Sequence, residues 1–162
     1  RGERRMVDLG EERRICLLGV DCTHHIDPDA AVLEQLARQQ PAERPQILLY
    51  HSPELMPQAS GEGIDLYLCG HTHGGQVRLP VIGPLLTSSQ LGRQYVMGLY
   101  RRGRTHLYVS RGVGLEGLSA PRVRFLAPPE ITLLTLKPAE QQEFQVDQAT
   151  GSEQRDRQTE KG

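Results

Sequence analysis

The chain has 162 residues, a formal net charge of −1, 37% hydrophobic residues and 4% aromatic residues with no tryptophan. That is room for one domain with a modest core, and it lacks both the basic field and the aromatic platform that nucleic-acid binding uses, so no nucleic-acid partner is expected. Three cysteines are too few for a disulfide framework, and no apolar run is long enough to span a bilayer.

The first five residues are charged and are expected to fray. Met6–Leu9 and Arg14–Val20 flank Gly10-Glu11 and read as a hairpin or strand pair. Residues 21–29 form a polar loop, and its adjacent His24 and His25 read as solvated. Asp27-Pro28 suits a helix start with Asp27 as cap, and Ala30–Gln40 follows as an amphipathic helix with Val32, Leu33, Leu36 and Ala37 on one face. Gln46–Tyr50 is an apolar strand that ends in His51-Ser52-Pro53. A short helix over 53–59 leads through Gly61 and Gly63 into a second apolar strand, Ile64–Cys69, with Ile64, Leu66 and Leu68 on one face. Asp65 at its start reads as a cap or surface residue. Cys16, Cys22 and Cys69 read as small buried hydrophobes.

The stretch Gly70-His71-Thr72-His73-Gly74-Gly75-Gln76 closes that second strand. In extended backbone, alternate side chains share a face, so the histidine pair would meet one metal or two adjacent ones. Glycine on both sides lets backbone come close to a ligand. Residues 77–93 read as a long loop, the kind that often carries function. Tyr95–Tyr100 and Thr105–Ser110 flank a basic hairpin turn, Arg101-Arg102-Gly103-Arg104, with His106 facing solvent. Gly112-Val113-Gly114 and Gly117 mark another loop, and Val123–Phe125 and Glu130–Leu136 read as strands. Residues 138–162 are rich in Gln, Glu and Arg and read as a disordered polar tail. Alternating strands and helices predict an α/β layered class.

Two strands thus each deliver histidine at the carboxyl end, where α/β sites collect. Three histidines there suit a transition metal, and accompanying carboxylates shift the preference toward Mn or Fe.

The pattern strand–His51-Ser52-Pro53 and then strand–Gly70-His71-Thr72-His73-Gly74-Gly75-Gln76 resembles the calcineurin-like metallophosphoesterase superfamily. With Gly98-Leu99-Tyr100 and Tyr108–Gly114 it is similar to a bacterial branch that includes membrane-associated phosphoesterases and UDP-diacylglucosamine hydrolases. The resemblance covers about residues 6–136. It implies a four-layer αββα sandwich of which residues 1–137 form the carboxyl-terminal part, β-rich after residue 94. It further implies two divalent transition metals (Mn, Fe or Zn), with His51 and His71 on one and His73 on the other. The reaction implied is hydrolysis of a phosphoester or pyrophosphate bond by a metal-bound hydroxide, on a phosphorylated small-molecule or lipid substrate. Peripheral membrane contact and a membrane-associated location follow from the same branch. Gln76 and Arg78 follow the metal loop and could line the substrate cleft; Arg111, before a Gly-x-Gly loop, could reach a phosphate there or equally make a surface ion pair.

The earlier family motifs, Asp-x-His, Gly-Asp and Gly-Asn-His, have no counterpart here, and the chain contains no asparagine. The chain begins with Arg1, and the expectation is a carboxyl-terminal fragment that is inactive alone and carries no catalytic residue beyond the metal ligands. The rival expectations are a non-catalytic histidine-based metal-binding module and a module completed by a partner chain.

Overall fold

A computed structural model describes residues 2–39, 44–84, 89–91, 93–115 and 122–137. Residues 1–132 form one compact unit and 133–162 a second. Of the second, only 133–137 are described, and they hold no helix or strand. The expected tail 138–162, Gln40 of the expected helix, Gly117, and residues 85–88 and 92 of the long loop lie outside the described residues.

The first unit is built on a six-stranded mixed sheet. In chain order the elements are β1 (Gly2–Asp8), β2 (Arg14–Val20), α1 (Ile26–Arg38), β3 (Gln46–Leu49), a 3₁₀ turn (Pro53–Leu55), α2 (Met56–Gly61) and β4 (Leu66–Cys69). A second 3₁₀ turn (His73–Gly75), the two-residue strands β5 (Arg78–Leu79) and β6 (Gly83–Pro84), β7 (Gly98–Arg102) and β8 (Thr105–Val109) complete it. The large sheet runs β1-β2-β3-β4-β8-β7. Its four central strands are parallel, and both edges are antiparallel hairpin partners. The carboxyl ends of β2, β3, β4 and β8 therefore share one edge of the sheet.

Helices cover one face. Cys16, Leu18, Leu48, Tyr67, Leu107 and Val109 from the sheet pack with Leu33, Ala37, Met56 and Ala59 from α1 and α2. On β4 the residues sunk into this core are Tyr67 and Cys69, not the leucines the alternation favoured. Leu66 and Leu68 lie half-buried on the opposite face with Ile15 and Leu17, and Leu49 and Leu99 there are exposed. No described element covers that face. The class is α/β; of the four layers that the resemblance implies, the described residues make one helical layer and one sheet.

Several expectations are corrected. Residues 2–5 do not fray, because the ladder with β2 continues to the pair Gly2↔Val20. Charged Glu3, Arg4 and Arg5 suit an edge strand, and Gly2 packs closely there: a Cβ would lie 2.5 Å from the Val32 side chain and 2.7 Å from the Leu36 side chain, which would have to shift. Helix α1 starts at Ile26 with His25 at the cap position, so Asp27 sits in the first turn and caps nothing. Residues 123–125 and 130–136 form no strand. Only an isolated bridge joins Val77 to Phe125, since β-propensity is expressed only where a partner strand pairs with it. Asp65 is a tie rather than a cap: it accepts from the Gln46 amide at 2.9 Å and pairs with Arg104.

Candidate metal centre

The parallel ladder sets the two histidine-bearing strand ends side by side. Beyond the last paired residues of β3 and β4, Tyr50 donates to the Leu68 carbonyl and Gly70 to the His51 carbonyl. Residues 51 and 70 are thus held across from each other. The Tyr67 hydroxyl, fully buried, donates to the Ser52 carbonyl and fixes the turn after His51.

The result brings the His51 Nε2 and His71 Nδ1 atoms to 3.0 Å, with ring centroids 4.7 Å apart. Two nitrogens each bound at about 2.1 Å to one ion stand about 3.0–3.4 Å apart. The pair therefore suits a single divalent ion. Burial presses the His51 pKa down, helped by the neighbouring His71, His24 and His73, while Glu54 works the other way. The neutral imidazole that a metal needs is favoured.

His73 is not added to this pair. The backbone of the loop is not extended: His71 (φ 71°), His73 (φ 49°), Gly74 (φ 67°), Gly75 (φ 78°) and Gln76 (φ 44°) are all left-handed. The shared-face argument for His-x-His assumes extended backbone and does not apply here. The His73 Nδ1 lies 3.3 Å from the Arg124 guanidinium. Among the described residues, no three of His, Cys, Asp and Glu gather closely enough to hold an ion.

The three residues expected to line the cleft sit as follows. Gln76 is buried. Arg78 donates to the Gly74 carbonyl at 3.1 Å. Arg111 is locked to Glu130 by its amide (3.0 Å), its Nε (2.7 Å) and its terminal nitrogen. Burial opposes the Glu130 charge, yet the Arg111 amide and guanidinium outweigh it and hold the carboxyl below its ordinary range. Arg124, which the sequence reading placed in a strand, ties the loop down: it donates to the carbonyls of His73, Arg111, Gly112, Gly114 and Ala127.

Three further residues at this edge escaped the sequence reading. His24 is exposed, as expected of its loop, and its ring centroid is 6.4 Å from that of His71. Its loop is held by Asp29, a carboxylate only 1% exposed, which accepts from Thr23 N (2.9 Å), Thr23 Oγ1 (2.7 Å) and the Tyr50 hydroxyl (2.6 Å). One buried acid thus fixes both the His24 loop and the strand end before His51. Glu54, directly after Pro53, is buried as well. Cys16 and Cys69 are buried as expected, with burial pushing both thiols up, but Cys22 is half-buried and lies 4.0 Å from His24 Nδ1.

Fold and site together define an α/β protein with paired histidines at the carboxyl ends of adjacent parallel strands. No family model and no solved structure matches the chain. Among curated proteins, it is 47% identical over 91 residues to the metallophosphoesterase YkuE of Bacillus subtilis, covering 56% of this chain and 30% of that one. It is 42% identical over 96 residues to phosphodiesterase YaeI of Escherichia coli, covering 59% and 33%. A transmembrane protein with metallophosphoesterase domain from Danio rerio is 34% identical over 137 residues, covering 77% and 28%. The chain belongs to the calcineurin-like metallophosphoesterases, and it spans about a third of the length of the curated relatives it matches.

Proposed function

We propose that the chain supplies part of the centre of a metal-dependent phosphoesterase. The observation that carries this reading is the 3.0 Å approach of His51 and His71 at the ends of β3 and β4. The names of the relatives, metallophosphoesterases and a phosphodiesterase, support the same chemistry. His51 and His71 hold one divalent ion, and His73 belongs to a second. Divalent ions at such a site cancel phosphoryl charge and activate water. This chain's own residues position and desolvate: the His51–Gly70 ladder contact sets the pair, and Arg124 with the Arg111–Glu130 pair fixes the loop that carries His71 and His73. Mn, Fe and Zn all suit imidazole with carboxylate. The substrate carries a phosphoester or pyrophosphate on a small molecule or lipid.

In this reading the 162 residues alone turn over no substrate, because the carboxylates that complete a two-metal site come from elsewhere in a longer protein. Titration of the chain with Co²⁺, followed in the visible spectrum, tests the ligand assignment. Histidine-bound absorption lost in both His51→Ala and His71→Ala supports it; a spectrum unchanged by both substitutions refutes it.

A second reading is favoured by the uncovered sheet face with Leu49 and Leu99: the sheet is completed by another polypeptide segment. The two readings are compatible, since the same segment can bring the remaining ligands.

A further inference from the structure

The long loop after the histidines carries a small apolar tip. β5 and β6 pair through Arg78↔Pro84 and Leu79↔Gly83, and Pro80-Val81-Ile82 joins them. The Ile82 amide donates to the Pro80 carbonyl at 2.8 Å, around Val81 at φ 70°. That is a γ-turn of the rare, strained kind, and a β-branched residue at positive φ is an outlier. The Val81 side chain stands clear of the protein: Val81 is 108% exposed and Ile82 57%, with Leu79 beside them exposed as well. Backbone strain held at a bare apolar tip raises the question of what the tip touches.

The charge around the tip has one sign. From Leu66 to Leu115 the chain holds no Asp or Glu, although its net charge is −1. Two of the arginines in that stretch flank the tip. Arg78 opens β5, and Arg93 is exposed and donates to the Ile82 carbonyl at 3.2 Å. Neither makes an ion pair among the described residues. Exposed Phe125, whose carbonyl accepts from the Arg78 amide at 3.0 Å, extends the apolar surface beside β5.

We propose that this tip docks on an anionic lipid surface: Leu79, Val81 and Ile82 enter the boundary between headgroups and acyl chains, and Arg78 and Arg93 meet the lipid phosphates. Apolar burial at that depth and attraction of cations to anionic headgroups are the two terms that hold a peripheral protein on a bilayer, and the tip presents both. A protein partner fits less well. A stable interface buries about 800 Å² on each side, and three side chains at a protruding tip fall well short of it. β5 begins two residues beyond Gln76, so lipid held here lies next to the histidine loop. The inference stands apart from the phosphoesterase reading, since no metal takes part in it.

The chain contains no tryptophan, so Ile82→Trp supplies a single fluorescent reporter at the tip. Its emission should shift to the blue on adding vesicles of phosphatidylcholine and phosphatidylglycerol in equal parts, and brominated acyl chains should quench it. Binding to pure phosphatidylcholine should be roughly 30-fold weaker, the worth of two arginines at an anionic surface. Val81→Asp lies outside the core at a backbone angle that Asp tolerates, so its thermal unfolding should match the parent. Its affinity for the mixed vesicles, measured by co-sedimentation, should nonetheless fall at least about ten-fold. Arg93→Gln keeps a donor for the Ile82 carbonyl and should lower that affinity about five-fold. An emission unmoved by the mixed vesicles, equal binding to the neutral ones, or binding unchanged in Val81→Asp would overturn the proposal; the last would assign the lipid to the uncovered sheet face. A reporter already blue-shifted at high chain concentration without lipid would give the tip to a second copy of the chain, and would overturn it too.

Discussion

Replacing Tyr50 by Phe removes one hydroxyl and leaves the ring in the core. That hydroxyl donates at 2.6 Å to Asp29, a carboxylate 1% exposed. The two Thr23 donors remain, so the carboxylate is deprived of one of its three partners. Loss of a hydrogen bond to a buried charge costs about 1.5–3 kcal/mol. For a chain of this size that lowers Tm by roughly 3–12 °C. The sign with pH follows from the same contacts. Burial opposes the Asp29 charge, but the Tyr50 and Thr23 donors hold its carboxyl below the ordinary range. A depressed carboxyl contributes stability that is full above the unfolded-state value, about pH 4, and is lost as pH falls through the folded-state value. The deficit of Tyr50→Phe should therefore be full at pH 7 and begin to shrink toward pH 3, as the carboxyl starts to take up its proton. Urea denaturation at the two pH values measures it. A deficit below about 0.5 kcal/mol at pH 7, or the same deficit at pH 3, would refute the account of Asp29 as a charged clamp.

Gly74→Ala places a methyl group at φ 67°, 3.0 Å from Arg111 Cγ and 3.4 Å from Ala127 Cβ. It should destabilise by about 1–2 kcal/mol from backbone strain alone and loosen the histidine loop; an unchanged denaturation midpoint would count against the left-handed loop. Glu130→Gln breaks a pair whose side chains are 24% and 16% exposed. It should cost about 1–3 kcal/mol at pH 7, between the surface and buried limits. That loss should fade below about pH 4, because the depressed Glu130 carboxyl contributes only while ionised; thermal melts across pH 3–7 check it. Metal affinity should survive Glu130→Gln within a few-fold, since Glu130 acts on the loop and not on the ion; a hundred-fold fall measured by Mn²⁺ titration would make it a ligand.

What the sequence made legible was the local part. Two apolar runs that each end in histidine were readable from residue type and spacing, and parallel pairing of those runs then puts His51 beside His71. The hairpins at both edges were readable for the same reason: each is set by a turn between adjacent strands. The losses lie where tertiary partners decide. Nothing in residues 21–25 announces that Asp29 and Tyr50 anchor the His24 loop through Thr23. Arg111 and Arg124 carry the same charge, and only the fold assigns one to a carboxylate and the other to five carbonyls. Glu54 follows Pro53 in a polar stretch, and its burial depends on Gln90 coming across from the long loop. The leucines of β4 alternate correctly, yet alternation does not say which face the helices cover. Tyr67 and Cys69 take the core because α1 and α2 pack on that side.

The central claim is that His51 and His71 hold a catalytic divalent ion. The most direct test is hydrolysis of bis(p-nitrophenyl) phosphate and p-nitrophenyl phosphate by the product of the full reading frame that contains this chain. The account predicts turnover with Mn²⁺ that a chelator abolishes and that His51→Ala and His71→Ala each reduce by at least roughly 100-fold, more than the usual loss from outer-shell partners. Turnover that persists undiminished in both variants, or a parent protein that hydrolyses neither compound with Mn²⁺, Fe²⁺ or Zn²⁺, would contradict it.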